Sequence, residues 1–349
     1  MQSKNYQRNI FILLVVIALV IAVLSLCLGK FTLAPARVCA MILSPLRQLF
    51  TDFTDFTDIA TDISDIEQQI IWTIRIPRIL MAFCAGAALA LCGAALQGVF
   101  HNPLVDPHII GVTSGAAFGG TLAILLGLSP YLLTLSTFSF GLLALFLVYF
   151  IAHLIGHGNR LILVLAGVIL SGFFSALVSL LQYMADTEEK LPSIVFWLLG
   201  SFATASWHKL LMLLIPLLVA GYFLLRLRWR INLLSLGDCD AKALGISVTE
   251  TRWLILVLCA LIVAAQVAVS GSIGWIGLVI PHFARMIVGT DHRYLLPASL
   301  LLGGSFMVIV DDLARTLTSA EIPVGIITAL LGAPLFTVLL VKNYKRKIQ

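Results

Sequence analysis

The chain has 349 residues, of which 60% are hydrophobic and only 11% are charged, and its formal net charge is +5. Soluble domains keep about a quarter of their residues charged, so this composition excludes a soluble globular protein. Apolar runs of about twenty residues, each long enough to cross a bilayer as a helix, favour helices over a barrel. We therefore expect an all-α polytopic membrane protein.

Ten apolar runs are predicted to span the membrane. In chain order they cover residues 10–29, 73–99, 108–127, 131–154, 160–184, 208–229, 250–270, 274–289, 294–317 and 324–342. The apolar piece 191–205 lies between the fifth and sixth runs and is too short to cross a bilayer, so we expect a half-buried helix there. The first run lacks a small-residue cleavage site, which favours a retained helix over a signal peptide.

The distribution of basic residues predicts the orientation of the chain, because short cytoplasmic loops are rich in Lys and Arg. Ten spans with the N-terminus inside place most basic residues in the cytoplasm, including the C-terminal tail KNYKRK at 342–347. Both termini are therefore predicted to be cytoplasmic. This topology, with a tail that can meet anionic lipid, accounts for the net charge, and we assign no nucleic-acid role.

Residues 30–72 form a long periplasmic loop in this topology. It contains an acidic insert, TDFTDFTDIATDISDIE at 51–67, whose spacing does not fit an EF-hand loop, so a solvated excursion is favoured over a cation site. The six cysteines show no CxxC spacing and mostly lie inside apolar runs. We interpret them as packing residues and predict no metal site.

Prolines and polar side chains interrupt the apolar pattern between the second and third spans, in HNPLVDP at 101–107. Non-helical backbone at membrane depth must face protein or a watery path, so we prefer a pore-lining constriction to a plain connecting turn. A similar interruption, GSIGWIGLVIPHFAR, covers 271–285. The pieces LVDPH at 104–108 and LVIPH at 278–282 echo each other across spans of opposite direction, which indicates an inverted repeat.

These segments carry a resemblance to a known family when they are taken with five others. The others are RIPR at 75–78, AGAALALCGAALQ at 85–97, SLGDCDAKALGI at 235–246, DDLART at 311–316 and EIPVGIITALLGAPLF at 321–336. Together they resemble the FecCD and cobalamin-permease family, the permease subunits of ATP-binding-cassette (ABC) importers for iron chelates, haem and cobalamin. The motifs follow the family's order from about residue 70, whereas the acidic insert departs from it.

The resemblance implies a type II ABC importer permease fold with inverted half-repeats. It implies a single transmembrane domain over 1–349, located in the bacterial inner membrane. In this family a periplasmic substrate-binding protein docks on arginines that correspond to Arg75, Arg78 and Arg315. The competing interpretation is interfacial anchoring, with Arg315 bridged to Asp311 or Asp312 at helical spacing.

Two further sites follow from the resemblance. Asn102 and Leu104 match the family's inner gate, and Asn159 lies in the turn where a second gate element is found. The cytoplasmic region 230–249 resembles the contact with the ATPase, with a short helix predicted at 241–244. The coupling residues implied there are Gly237, Asp238, Ala241, Lys242, Ala243, Leu244 and Gly245.

The chain has no GxxxxGK[ST] motif and so lacks a phosphate-cradling loop of its own. We expect no cofactor and no enzymatic activity in this chain, with ATP and Mg bound by the partner ATPase. The predicted assembly is two copies of the permease, two ABC ATPase subunits and one binding protein, working by alternating access. A ferric siderophore is the preferred cargo, and haem, cobalamin, molybdate and tungstate are the alternatives.

Three other classes of protein remain as alternatives. An ion-coupled secondary transporter carries intramembrane acids or histidines as coupling sites, and the predicted spans are nearly free of them. An intramembrane enzyme needs a nucleophile with a base or a metal cluster, and the histidines show no HExxH spacing. A scaffolding bundle leaves the prolines at membrane depth without a role. Strict dependence of uptake on a separate ATPase distinguishes the importer from all three.

Overall fold

The computed structural model describes residues 4–29, 34–38, 41, 65–156 and 160–348, and within these ranges it contains helices and no strand. The α-helices in chain order are α1 Lys4–Cys27, α2 Asp65–Gln69, α3 Ile76–Phe100, α4 Val112–Leu125, α5 Pro130–Gly156, α6 Arg160–Met184, α7 Lys190–Leu198, α8 Trp207–Arg226, α9 Arg228–Leu234, α10 Asp238–Ala243, α11 Val248–Ser270, α12 Ile276–Val288, α13 His292–Thr316 and α14 Val324–Ile348. A π-helical stretch, Ile70–Arg75, joins α2 to α3, and a 3₁₀ turn, Pro107–Ile110, precedes α4.

The helices of the described residues agree with the ten predicted spans. Seven are long and apolar enough to cross a membrane, and three shorter apolar helices, Val112–Leu125, Ile276–Val288 and Val324–Leu339, occupy the remaining predicted positions. The chain is therefore a multi-pass helical membrane protein, as predicted. The sixth span ends at Arg226, because the cytoplasmic end of the predicted run folds as the separate helix α9.

Three further span boundaries in the described residues differ from the sequence-based prediction. Residues 65–72, which were predicted as the end of the long loop, are helical and continuous with the second span. The side chain of Ile71 is completely buried, so this added segment packs against the bundle. The third and eighth spans begin late, at Val112 and Ile276, since Gly111 and Trp275 have positive φ angles of 82° and 72° that interrupt the helix. Of the rest of the loop, the structure describes 34–38 and 41, and the acidic insert up to residue 64 lies outside the described residues.

Helix α3 forms the centre of the bundle, and nearly all of its side chains are buried. Its small residues let neighbouring backbones approach closely, as expected for helices packed in lipid. A Cβ atom at Gly86 would lie 2.1 Å from the carbonyl oxygen of Gly303 in α13, and one at Gly93 would lie 1.9 Å from that of Gly277 in α12. Only glycine fits at these two crossings.

Helix α1 lies at the edge of the bundle, and most of the side chains in its middle are exposed. Polar contacts hold both of its ends. Near the start, Gln7 Nε2 donates to the carbonyl oxygen of Val288 at 3.4 Å. Near the end, Ser25 Oγ donates to Asp312 Oδ1 at 2.6 Å. The two ends are thus attached to the last third of the chain.

The half-buried helix predicted after the fifth span is present as α7, although it ends at Leu198 rather than at 205. Gly200, with a φ angle of +76°, turns the chain there. The following backbone then pairs with the start of α14, where Val324 N donates to Gly200 O at 2.9 Å and Gly325 N donates to Leu199 O at 3.0 Å. These bonds fix the end of α7 against the last span.

Candidate functional site

The structure brings together the three arginines predicted to dock a binding protein. Arg75 ends the π-helical stretch, Arg78 lies in the first turn of α3 and Arg315 in the last turn of α13. A Cβ atom at Gly29, just after α1, would lie 3.0 Å from Arg75 Nη2 and 3.6 Å from Arg315 Nη1. The three side chains therefore converge at one end of the bundle, which is the periplasmic end in the predicted topology.

Arg78 is held by two carboxylates of its own chain. Its Nη2 donates to Asp311 Oδ1 at 2.8 Å and its Nε donates to Asp311 Oδ2 at 2.9 Å. The same guanidinium donates to both carboxylate oxygens of Glu321 at 3.0 Å. The Asp311 side chain is only 1% exposed, whereas that of Glu321 is 25% exposed. Arg78 thus forms two bidentate ion pairs, one with Asp311 and one with Glu321.

Arg315 and Arg75 are bound to the end of α1. Arg315 Nε donates to Asp312 Oδ1 at 3.2 Å, and its Nη2 donates to the carbonyl oxygen of Ser25 at 2.7 Å. Arg75 Nη1 donates to the carbonyl oxygen of Leu26. The predicted bridge from Arg315 to Asp312 is confirmed. All three arginines are between 5% and 7% exposed, so docking at these positions stays a prediction, and their contacts here are structural.

The predicted gate residues Asn102 and Leu104 lie in the exposed loop that follows α3. His101 ends the helix with a positive φ of 53°. Asn102 Oδ1 then accepts from the backbone N–H of Leu104 at 2.9 Å, and the Leu104 side chain is 49% exposed. This short turn presents an apolar side chain at the surface of the chain. Asn159 lies outside the described residues.

The five-residue echo does not mark equivalent structural positions. The first piece, 104–108, lies in the loop and the 3₁₀ turn before α4, whereas the second, 278–282, lies inside α12. Pro107 begins its turn, but Pro281 is within a helix. Pro107 of the first piece packs against Gly277, the residue before the second piece, because a Cβ atom at Gly277 would lie 2.4 Å from Pro107 Cδ.

The predicted coupling region forms two short helices, α9 and α10, connected by a turn at Gly237. The helix predicted at 241–244 is present as α10, but it begins at Asp238, directly after Gly237, and ends at Ala243. Asp238 Oδ1 accepts from Arg252 Nη2 of α11 at 2.8 Å and lies 3.6 Å from Arg160 Nε of α6. The coupling residues predicted at this surface are Gly237, Asp238, Ala241, Lys242, Ala243, Leu244 and Gly245, of which Ala241 alone is buried.

The exposed surface beside α10 is partly apolar. The side chains of Leu236 and Leu244 are 59% and 57% exposed, on either side of the helix. Apolar side chains grouped on a polar surface are a feature of protein-binding sites. The ATPase contact at this surface stays a prediction.

Sequence reasoning missed a polar group beneath the gate loop. Gln97 Nε2 donates to the carbonyl oxygens of Val105 and Gly277 at 3.1 and 3.2 Å. Its Oε1 accepts from Arg285 Nη2 at 2.5 Å. The detectable signal was the presence of a single amide and a single guanidinium inside otherwise apolar runs, since such residues inside spans are commonly functional.

A cavity of about 470 Å³ opens beside this group, between the end of α3, helix α9 and the start of α13. Its lining residues are Gln97, Gly98, His101, Pro103, Asn232, Ser235, Leu236, Arg285, Thr290, Asp291 and His292. Partial burial raises the pKa of Asp291, but hydrogen bonds from Arg293 and Asn232 lower it by more. The pKa of Asp291 is therefore lowered to about 2. In the part of the chain that the structure describes, no group of His, Cys, Asp and Glu is arranged to hold a metal ion.

Comparisons with known proteins agree with this architecture. The FecCD transport family matches residues 14–342. The chain is 51% identical over 342 residues to the molybdate import system permease protein MolB of Haemophilus influenzae, covering 98% of each chain. It is 41% identical over 296 residues to the hemin transport system permease protein HmuU of Yersinia pestis, covering 82% of this chain and 87% of the other.

A solved structure shows a similar fold. It is described as an inward-facing conformation of a metal-chelate-type ABC transporter, and it superposes with a TM-score of 0.85 at 51% identity. The match covers 96% of this chain and 99% of the other. Relatives and fold together establish the family over nearly the whole length. The chain belongs to the FecCD transport family and is a permease of an ABC importer.

Proposed function

We propose that two copies of this chain form the translocation path of an importer for oxyanions of the molybdate class in the bacterial inner membrane. The observation that carries this proposal is the 51% identity to a molybdate permease over 98% of both chains. The hemin permease is similar over a smaller part of the chain and at 41% identity. Molybdate thus replaces the ferric siderophore that sequence reasoning preferred.

A metal chelate is the second candidate cargo. The solved structure of the same 51% identity is described as metal-chelate type. A permease that meets its cargo only in passing has little need for a deep recognition pocket, so family membership alone leaves both chemistries possible. The two candidates differ in size and charge, and transport assays separate them directly.

The proposed mechanism uses the two ends of the bundle. A periplasmic binding protein delivers the cargo at the end where Arg75, Arg78 and Arg315 converge. At the opposite end, two ATPase subunits bind the surface formed by α10 and its exposed leucines, and they hold the ATP and Mg that this chain does not bind. Closure of the ATPases moves α10, which the Asp238 contacts connect to α11 and α6. The loop with Asn102 and Leu104 then opens or closes the exit.

Uptake by proteoliposomes tests the proposal. The vesicles contain this chain, its ATPase and its binding protein, and the substrates are labelled molybdate, tungstate, a ferric siderophore, haem and cobalamin. We expect ATP-dependent uptake of molybdate and tungstate and none of the other three. Uptake of a chelate alone would overturn the oxyanion assignment. Uptake driven by an ion gradient without the ATPase would overturn the importer itself.

A further inference from the structure

The cavity beneath the gate loop contains a guanidinium with unused hydrogen-bonding capacity. Arg285 Nη2 donates to Gln97, but its Nη1 is buried and has no hydrogen-bond partner among the described residues. No carboxylate of the described residues forms an ion pair with Arg285. An arginine side chain stays charged, so it leaves a positive charge without a counter-charge in a largely buried place.

Gln97 fixes the position of this guanidinium. Both ends of the amide are used, because Nε2 donates to backbone carbonyl oxygens of two segments while Oε1 accepts from Arg285. The guanidinium is therefore held at the wall of the cavity in one orientation. A fixed cation with a vacant donor is the arrangement that proteins use to bind oxyanions.

A second nitrogen on the same cavity is also without a partner. His292 Nδ1 lies 2.8 Å from Asn232 Oδ1. An amide oxygen only accepts hydrogen bonds, so Nδ1 carries the proton. The other ring nitrogen, Nε2, is buried and has no partner among the described residues. Nε2 lies against the backbone of Gly98, because a Cβ atom at Gly98 would be 2.5 Å from it. His292 therefore borders the cavity, and Arg285 supplies the donor for a bound oxyanion.

The one carboxylate in the cavity wall does not compete for Arg285. Asp291 Oδ1 accepts from Asn232 Nδ2 at 2.7 Å and from the backbone N–H of Arg293 at 2.9 Å. Its Oδ2 accepts from Arg293 Nε at 2.8 Å. With both oxygens occupied, its negative charge is largely compensated. The volume of about 470 Å³ lies in the range of small-molecule sites, about 300–1,000 Å³.

From this geometry we infer that the cavity is a binding site for a tetrahedral oxyanion, held by Arg285 and bordered by His292, at the end of the path where the cargo leaves. The inference rests on the proposed function for the identity of the oxyanion as the cargo. The site lies next to His101 and Pro103 of the gate loop, so an oxyanion bound there contacts the segment that opens and closes the exit. Cargo accumulated in the cytoplasm would occupy it.

Equilibrium binding of labelled molybdate tests this site without transport. The protein is the complex of this chain with its ATPase in detergent, without nucleotide or binding protein. We expect saturable binding, weakened about tenfold or more by Arg285→Gln. Arg285→Lys keeps the positive charge but loses the paired N–H donors of the guanidinium. Its affinity for molybdate should lie between those of the wild type and Arg285→Gln. The matched control Arg226→Gln removes the same charge from an exposed position in the last turn of α8 and should leave molybdate binding unchanged.

Several outcomes would overturn the site. Absence of saturable molybdate binding, or equal binding by the wild type and Arg285→Gln with both correctly folded, contradicts it. Displacement by phosphatidylglycerol at concentrations where added molybdate fails to compete would assign the cavity to a lipid phosphate instead. The result is separable from the proposed function, because molybdate can bind here in a chelate importer, and a molybdate importer can lack this site.

Discussion

The Arg78 guanidinium and the Asp311 carboxylate form a forked ion pair, with Nη2 2.8 Å from Oδ1 and Nε 2.9 Å from Oδ2. The two residues are 233 positions apart in the chain, and the Asp311 side chain is 1% exposed. The pair fastens the start of α3 to the end of α13. It makes the arginine motif of the second span a structural contact as well as a predicted docking site.

Arg78→Gln is expected to destabilise the chain by about 3–5 kcal/mol, because it leaves the Asp311 carboxylate buried without its counter-charge. Denaturant unfolding in detergent measures the loss. The control Arg293→Gln removes an exposed ion pair with Asp291, where the arginine side chain is 51% exposed, and should destabilise the chain far less. Equal losses of stability in the two variants would show that the buried ion pair stabilises the chain no more than the exposed one.

Glu321→Gln is expected to tighten docking of the binding protein several-fold. Glu321 occupies both terminal nitrogens of Arg78 and is the more exposed of its two carboxylates, so an acid of the partner protein competes with it. Removing that charge frees the arginine for the partner. Surface plasmon resonance with the immobilised importer measures the affinity. Unchanged or weaker docking would mean that Arg78 does not receive an acid of the partner.

This competition also changes how charge reversal of the arginines must be interpreted. Arg75→Glu combined with Arg78→Glu would place new acids beside Asp311 and Glu321 and would unfold this end of the bundle. Loss of docking in that double variant therefore does not identify a contact. The single change at Glu321 keeps Arg78 paired with Asp311 and leaves the fold intact.

Asp238→Asn is expected to lower transport while leaving ATPase assembly intact. The change weakens the contacts of α10 with Arg252 and Arg160, so movement of α10 is transmitted less directly to α11 and α6. Asp240→Asn is a matched control, because it removes the same charge from the same first turn of α10, where either acid has a similar effect on the helix dipole. Equal transport by both variants would contradict the coupling role of the Asp238 contacts.

Gly86→Ala is expected to disrupt the crossing of α3 and α13, since the added methyl would lie 2.1 Å from the Gly303 carbonyl oxygen. Overpacking of this kind costs about 1–3 kcal/mol or more. Gly172→Ala on α6 adds the same methyl where no atom lies within 4 Å and should be neutral or stabilising. Thermal unfolding of both variants in detergent checks the difference. A Gly86→Ala variant as stable as the wild type would show that the helices can move apart at this crossing.

The spans could be predicted from the sequence because the hydrophobic pattern is local, and the Arg315 to Asp312 bridge because helical spacing reveals it. The pairing of Arg78 with Asp311 could not be predicted, because nothing local connects residues 233 positions apart. The late starts of α4 and α12 also escaped prediction. The glycines at 271 and 274 indicated an interruption, but tryptophan is not a residue type that signals a left-handed position, so the start of α12 directly after Trp275 could not be located.

The site residues were predicted unevenly for a related reason. The family resemblance implies gate residues at Asn102 and Leu104 and a coupling helix at α10, whose roles stay predictions, and the structure places both segments at the surface. Arg285 and Gln97 meet only after the fold brings α3 and α12 together, 188 positions apart. The apolar residues that flank Arg285 and Gln97 in the sequence do not indicate that these two side chains pair.

The attachment of α1 has a consequence for how the protein is made. Its two ends bind Val288 and Asp312, which lie 281 and 287 residues later in the chain. The ribosome therefore supplies the partners of Gln7 and Ser25 late, long after Arg75, which binds the Leu26 carbonyl oxygen, has been made. Until then α1 is held by few polar contacts, which its long apolar middle allows in lipid. Biogenesis ends when the late helices arrive and α1 closes onto them.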